Sequence, residues 1–183
     1  MLVSILVGCV PHLYTDVDPW VAPENSWPVG DVPAETQAEG YQTGEVIPEL
    51  VGPDQFGDDV SIWQFHGLVT VVDISTIWCA PCQELAKTTQ ETYEHYEDDG
   101  VMYVTVLAQD LEGNVPEVDD LVFWADSFGI EAPVMGDQGS WWQGATPDQS
   151  FPQILVLNPD LTVCQRDIEA SDAALREAIE GCL

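Results

Sequence analysis

Two near-continuous apolar runs, Leu68–Ile74 (LVTVVDI) and Val101–Ala108 (VMYVTVLA), constrain this chain more than any other feature. Neither alternates apolar with polar residues, so each reads as a strand buried on both faces. A long helical stretch runs between them to about Asp99. Leu85, Thr88, Thr89, Thr92, Tyr93 and Tyr96 give its inward stripe, and Gly100 its stop. Val118–Phe128 is amphipathic, offers Leu121, Val122, Trp124, Ala125 and Phe128 for burial, and ends at Gly129. Ile154–Leu157 and Leu161–Cys164 form a hairpin around Asn158-Pro159-Asp160. Ser171–Glu180 is the last helix, with Ser171 as N-cap and Gly181 as stop. A short strand is expected at Val60–Trp63, entered through Gly57-Asp58-Asp59. The order β–β–α–β–α–β–β–α predicts an α/β fold, a mixed sheet covered on both faces.

The 183 residues suffice for one such domain and a tail. The domain is expected over residues 44–183. Residues 10–43 are rich in Pro, Gly, Asp and Glu without any period, and read as a flexible linker in which Trp20 and Trp27 either dock or stay idle. Residues 1–9 are an apolar stretch ending at a cysteine, and Leu6-Val7-Gly8-Cys9 resembles a bacterial lipobox. That predicts a lipid anchor on Cys9 and a place outside the cytoplasm; the alternative is a chance cysteine in a short apolar stretch. No stretch is long enough to span a bilayer as a helix.

Charge excludes whole classes of partner. Three Lys and Arg stand against 33 Asp and Glu, a net charge of -30. Nothing could neutralise a run of phosphates, which excludes nucleic acid, and anionic membrane surfaces would repel the chain. The bland account of the acidity is a solvated surface.

Chemistry concentrates at Trp78-Cys79-Ala80-Pro81-Cys82, between the first buried strand and the long helix. A cysteine at a helix N-terminus gains from unsatisfied N–H groups and the helix dipole, which favour the thiolate that attacks disulfides. Cys82 lies one turn on, where it can resolve a mixed disulfide on Cys79. Pro81 is tolerated in the first turn, which has no N–H partner to lose. A zinc half-site is the structural alternative, but no second C-x-x-C or H-x₃₋₅-H supplies the remaining ligands, so no metal is expected. A purely structural disulfide this short would close almost no loop. His66 and His95 lack partners at ligand spacing. Cys164 and Cys182 bracket the last strand and helix; they are either a clip between them or two buried thiols, and an oxidising compartment favours the bridge.

The segment VVDISTIWCAPC resembles the thioredoxin-like superfamily, and the likeness extends over about residues 44–183. The resemblance implies a three-layer sandwich with helices on both faces of a mixed sheet. It implies catalytic roles for Cys79 and Cys82 as a redox-active pair, and for Asp73 as the buried acid that moves a proton at the resolving cysteine. It also implies a cis peptide at Phe151-Pro152, with Trp78, Pro81, Phe151 and Pro152 shaping the site for an extended peptide. Within the superfamily the chain is most similar to extracytoplasmic TlpA/ResA-type thiol–disulfide oxidoreductases. An N-terminal hairpin (GEVIPELVGPDQFGDDVSIWQF), the insert VDDLVFWADSFGIEAPVMGD and the lipobox carry that likeness. Those proteins usually follow the second cysteine with a basic residue, then Glu and Pro; here Gln83, Glu84, Leu85, Ala86 and Lys87 follow. The implied partners are a disulfide-containing protein substrate and an upstream thiol donor, with no dissociable cofactor and a monomeric state. Ala80-Pro81 resembles the reducing members. Two alternatives stay open. One is a non-enzymatic interaction module that binds a partner through the loop Gly139–Pro152, which bears Trp141 and Trp142. The other is a peroxiredoxin, which Thr76-Ile77-Trp78-Cys79 fits as T-x-x-C. Val72 stands where that family has proline, and for the arginine that family usually uses as its cation only Arg166 and Arg176 exist, both late in the chain.

Overall fold

A computed structural model describes residues 20–183; Cys9 and the lipobox-like segment lie outside the described residues. A small antiparallel hairpin, β1 (Val51–Pro53) and β2 (Asp59–Ser61), comes first. The core follows as β3 (Val69–Thr76), α1 (Ala80–Tyr96), β4 (Val101–Gln109), α2 (Val118–Phe128), β5 (Val134–Gly136), α3 (Trp141–Ala145), β6 (Gln153–Leu157), β7 (Val163–Arg166) and α4 (Asp172–Glu180). The five-stranded sheet runs β5-β4-β3-β6-β7. β3, β4 and β5 are parallel, while β6 and β7 join antiparallel. Every residue of β3 is buried, as is β4 up to its last residue, which is why both runs lack a polar period.

Strand alternation splits the core in two. Val69 and Val71 of β3 join the inward residues of α1, α2 and α4 in one apolar cluster. Val72 and Ile74 face the other way, into a cluster with Ile62 and Phe65 and with Trp142 and Ala145 of α3. The fold is therefore a mixed sheet with helices on both faces and a hairpin at its N-terminal side.

Five local expectations differ from the structure. The strand expected over Leu161–Cys164 is shifted to Val163–Arg166, because Leu161 takes a left-handed φ of 68° in the turn and cannot extend the strand. The strand expected over Val60–Trp63 stops at Ser61, and a 3-10 turn spans Ile62–Phe65. Ser61 Oγ accepts from the Trp63 N–H, and Gln64 Oε1 accepts from the Ser61 N–H; this reciprocal cap starts a helical turn in place of a longer strand. β5 and α3 were not in the expected order, being three and five residues long and too short to display a period. On α2 only Leu121, Trp124 and Ala125 are fully buried, while Val122 faces solvent. Residues 20–43 hold no helix or strand, yet they lie along the domain. Trp20 Nε1 donates to Glu49 and Trp27 Nε1 to the buried Asp54, each at 2.7 Å, and Gly30 N donates to the Gln64 carbonyl at 2.6 Å. A Cβ on Gly30 would sit 1.7 Å from the His66 carbonyl oxygen, so glycine permits that approach. Aromatic rings with somewhere apolar to go explain the docking: Trp20, Trp27 and Tyr41 all pack on the second cluster.

Cys164 and Cys182 are bridged across 18 residues and fasten the end of α4 to β7. Closing a loop of that size stabilises by roughly 3 kcal/mol in the chain-entropy account. The double replacement Cys164→Ser/Cys182→Ser is expected to lower the midpoint of thermal unfolding by about 6–12 °C in calorimetry. An unchanged midpoint would show that the bridge constrains nothing.

Candidate active site

β3 ends at Thr76, and the chain turns through Ile77 and Trp78 into α1. Cys79 is the N-cap of α1: its Sγ accepts from the backbone N–H of Cys82 at 3.2 Å. Pro81 occupies the first turn. Cys79 and Cys82 are joined as a disulfide with Cα atoms 5.3 Å apart, so the structure holds the oxidised form. When that bond is reduced, the Cys82 N–H that caps the helix remains at Cys79, and a thiolate there gains from both that N–H bond and the dipole. Cys82 is fully buried in the α1-side cluster. Burial raises a thiol that has no such donors, so the two sulfurs are inequivalent by position alone.

Asp73 sits three residues before the end of β3 and is completely buried. It points to the same face as Val69 and Val71, the side covered by α1. Its Oδ1 accepts from Ser75 Oγ at 2.8 Å and its Oδ2 from the Tyr103 hydroxyl at 3.3 Å. Desolvation dominates and raises its pKa from 3.8 to about 6, against the lowering effect of those two hydrogen bonds. Burial, together with the neighbouring Asp73 charge, holds the Tyr103 phenol well above its ordinary value, so Tyr103 remains a donor. A carboxyl with a pKa of about 6 under the α1 face can take or return a proton near neutral pH.

The Phe151-Pro152 peptide is cis. Phe151 stands edge-on to Trp78, ring centroids 5.9 Å apart, and tilted against Trp142 at 5.5 Å. Trp78 is 47% exposed and is steadied by its Nε1, which donates to Gln109 Oε1 at 3.2 Å. One aromatic row thus links the residue before Cys79, the residue before the cis proline, and α3. Trp142 is set in turn by Asp137, a buried carboxylate that accepts from the backbone N–H groups of Gly139 and Trp142. Trp141 also turns inward, with its Nε1 on the Pro48 carbonyl and its ring against Tyr41, so neither tryptophan of this loop offers a free apolar wall. Arg166 and Arg176 are engaged elsewhere. Arg166 donates to the Tyr41 and Ala145 carbonyls and pairs with Asp167; Arg176 pairs with Asp172 and Glu91.

Sequence reasoning did not single out Ser75, Tyr103, Gln109 or Asp137, and noted Gln83 only as a departure from the resembled pattern. Ser75 carried a signal, since two polar residues two apart on one face of a buried strand need each other. Gln83 Nε2 donates to the Ile77 carbonyl at 2.7 Å and ties the first turn of α1 back to the loop before it. It occupies the position where the resembled proteins usually carry a base.

No protein-family model matches the chain. Among curated proteins it is similar to the thiol-disulfide oxidoreductase ResA of Bacillus anthracis, 23% identical over 145 residues, covering 79% of this chain and 79% of that protein. Against ResA of Bacillus subtilis (strain 168) the identity is 24% over 123 residues, covering 67% and 65% respectively. Among solved structures it is similar to the thioredoxin domain of a thiol-disulfide oxidoreductase from Bacteroides vulgatus, with a TM-score of 0.64 at 20% identity, covering 76% of this chain and 96% of that one. A thioredoxin family thiol:disulfide interchange protein from Chlorobium tepidum TLS gives 0.63 at 15% identity, covering 80% and 99%. The fold is thioredoxin-like.

Proposed function

We propose that this chain, a thioredoxin-fold relative of the ResA proteins, is a thiol–disulfide oxidoreductase that reduces protein disulfides outside the cytoplasm through the pair Cys79 and Cys82. The observation that carries the reading is the Cys79–Cys82 disulfide at the start of α1, with Cys79 Sγ accepting the helix-cap hydrogen bond and both cysteines buried, Cys82 completely. In the reduced protein the Cys79 thiolate attacks one sulfur of a substrate disulfide. A mixed disulfide forms and the first substrate sulfur leaves as a thiolate, taking a proton from solvent. Cys82 then loses its proton to the Asp73 carboxylate and attacks Cys79 Sγ. The second substrate sulfur leaves and is protonated, and the Cys79–Cys82 bond is remade. Two electrons pass to the substrate, and an external dithiol restores the protein.

The row Trp78, Phe151 and Pro152 lines the approach to Cys79, and the half-buried Phe151-Pro152 backbone is where an extended substrate would lie. A second disulfide, Cys164–Cys182, supports a place in an oxidising compartment. Among the described residues no helix is long and apolar enough to cross a membrane. Anchoring in this reading falls to Cys9, and residues 20–43, docked on the domain, would join anchor to fold. A peroxide-reducing reading is disfavoured because both arginines are committed to other contacts.

The test is a redox titration of the full chain against thiol buffers, with alkylation and mass mapping of each cysteine. Cys79 and Cys82 are expected to convert together, while Cys164 and Cys182 stay bridged. A midpoint near thioredoxin's, roughly -270 mV, marks a reductase; one near roughly -120 mV would reverse the direction to oxidase. A pair locked in one state across that range would end the enzymatic reading in favour of a binding module.

A further inference from the structure

A cleft of about 180 Å³ lies between the start of α1 and α2, lined by Ile77, Gln83, Phe123, Trp124, Ser127 and Phe128. Ile77 is two residues before Cys79 and Gln83 directly follows Cys82, so anything seated in the cleft is held next to the reacting sulfurs. Half of its lining residues are aromatic, and an apolar cavity of roughly 150 Å³ is large enough to hold a benzene ring. The surroundings are apolar as well. Three of the large apolar side chains most exposed among the described residues lie on the segments that bound the cleft: Trp78 directly before Cys79, and Val122 and Phe123 on α2. A cluster of that kind marks a surface that meets another molecule.

Charge decides which molecule. Glu117 at the cap of α2, and Asp119 and Asp126 along α2, the helix that forms one wall of the cleft, are all exposed. The only cation on either helix is Lys87, which is already paired with Glu84. An acidic or neutral partner gains nothing from this rim, whereas a basic one is drawn to it. We propose that the cleft between α1 and α2 is a substrate subsite that seats an aromatic or branched apolar side chain of a polypeptide whose redox-active cysteine is flanked by Lys or Arg. The inference deepens the oxidoreductase reading above and rests on it. The partner's apolar side chain fills the cleft, its basic residues meet the carboxylates of α2, and its disulfide lies over Cys79.

The probes are short synthetic peptides dimerised through one cysteine, reduced by the full chain with dithiothreitol as the electron source. One peptide has Phe and then Lys on each side of the cysteine. A second carries Glu for Lys, and a third Gly for Phe. Bis(2-hydroxyethyl) disulfide serves as a substrate too small to use the cleft. The Phe/Lys peptide is expected to exceed the Glu peptide about ten-fold or more in kcat/KM, with the advantage falling to about two-fold at 1 M salt. It is expected to exceed the Gly peptide about ten-fold as well. Phe123→Ala, at a largely exposed position, is expected to remove most of the Phe preference while keeping the Lys preference. Equal rates on all three peptides, with the small disulfide still reduced, would overturn the subsite and leave the redox reading standing. Failure to reduce the small disulfide as well would overturn both.

Discussion

Cys79→Ser should abolish disulfide reduction, with turnover falling at least about 10³-fold, because the group that forms the covalent intermediate is gone. Cys82→Ser should behave differently. Cys79 still has its cap, the Cys82-position N–H still reaches its sulfur, and attack still occurs. The mixed disulfide then has no internal thiol to release it. Incubated with a disulfide substrate and without added thiol, this variant is expected to accumulate a covalent adduct, seen by intact mass and lost on adding dithiothreitol. The asymmetry carries the argument: the capped sulfur attacks and the uncapped, deeper one resolves. If Cys79→Ser trapped the adduct and Cys82→Ser did not, the roles would be exchanged and the helix-cap account of reactivity would fall.

The parts of this site that could be read from sequence are the local ones. Cys79 and Cys82 announce themselves because a strand run, a three-residue spacing and a helix start all fall within one short segment. β3 and β4 are equally plain, since burial on both faces removes every polar residue that would blur the run, save those kept for a purpose. Asp73 is such an exception. What could not be read is assembled across the chain. Tyr103 meets Asp73 only because β3 and β4 pair with Val71 opposite Tyr103. The row Trp142–Phe151–Trp78 needs α3, β6 and the β3–α1 loop at one place. α3 itself is too short for periodicity to reveal. For residues 20–43 the sequence left docking open for a different reason. Proline, glycine and acid content reads as linker, yet a few aromatic rings with a docking surface override it. Where the two indole N–H groups dock depends on Glu49 and Asp54, which lie 29 and 27 residues further along the chain.

Asp73→Asn is the sharper experiment, because it should improve the protein and impair its chemistry at once. The buried carboxyl has its pKa raised from 3.8 to about 6, so folding favours its protonated form. Below pH 3.8 the group is neutral folded or unfolded, and burying it carries no charge penalty. As the pH rises through about 6 the folded protein must hold a buried carboxylate, and that stability is lost. The difference of about two pH units corresponds to roughly 3 kcal/mol at neutral pH, an upper bound. Asn fits the same space, keeps an acceptor for Ser75 and faces Tyr103 with a donor. The variant is therefore expected to be more stable than the parent by up to about 3 kcal/mol at pH 7–8 in urea unfolding, with the gain vanishing near pH 4. Its reducing activity should fall about 10²-fold, because Cys82 has lost the base that takes its proton. In the parent the resolving step should quicken as the pH rises through about 6; in the variant that inflection should be gone. A merely structural Asp73 would move the stability curve and leave the pH profile of the resolving step in place, and that outcome would remove Asp73 from the mechanism while keeping it in the fold.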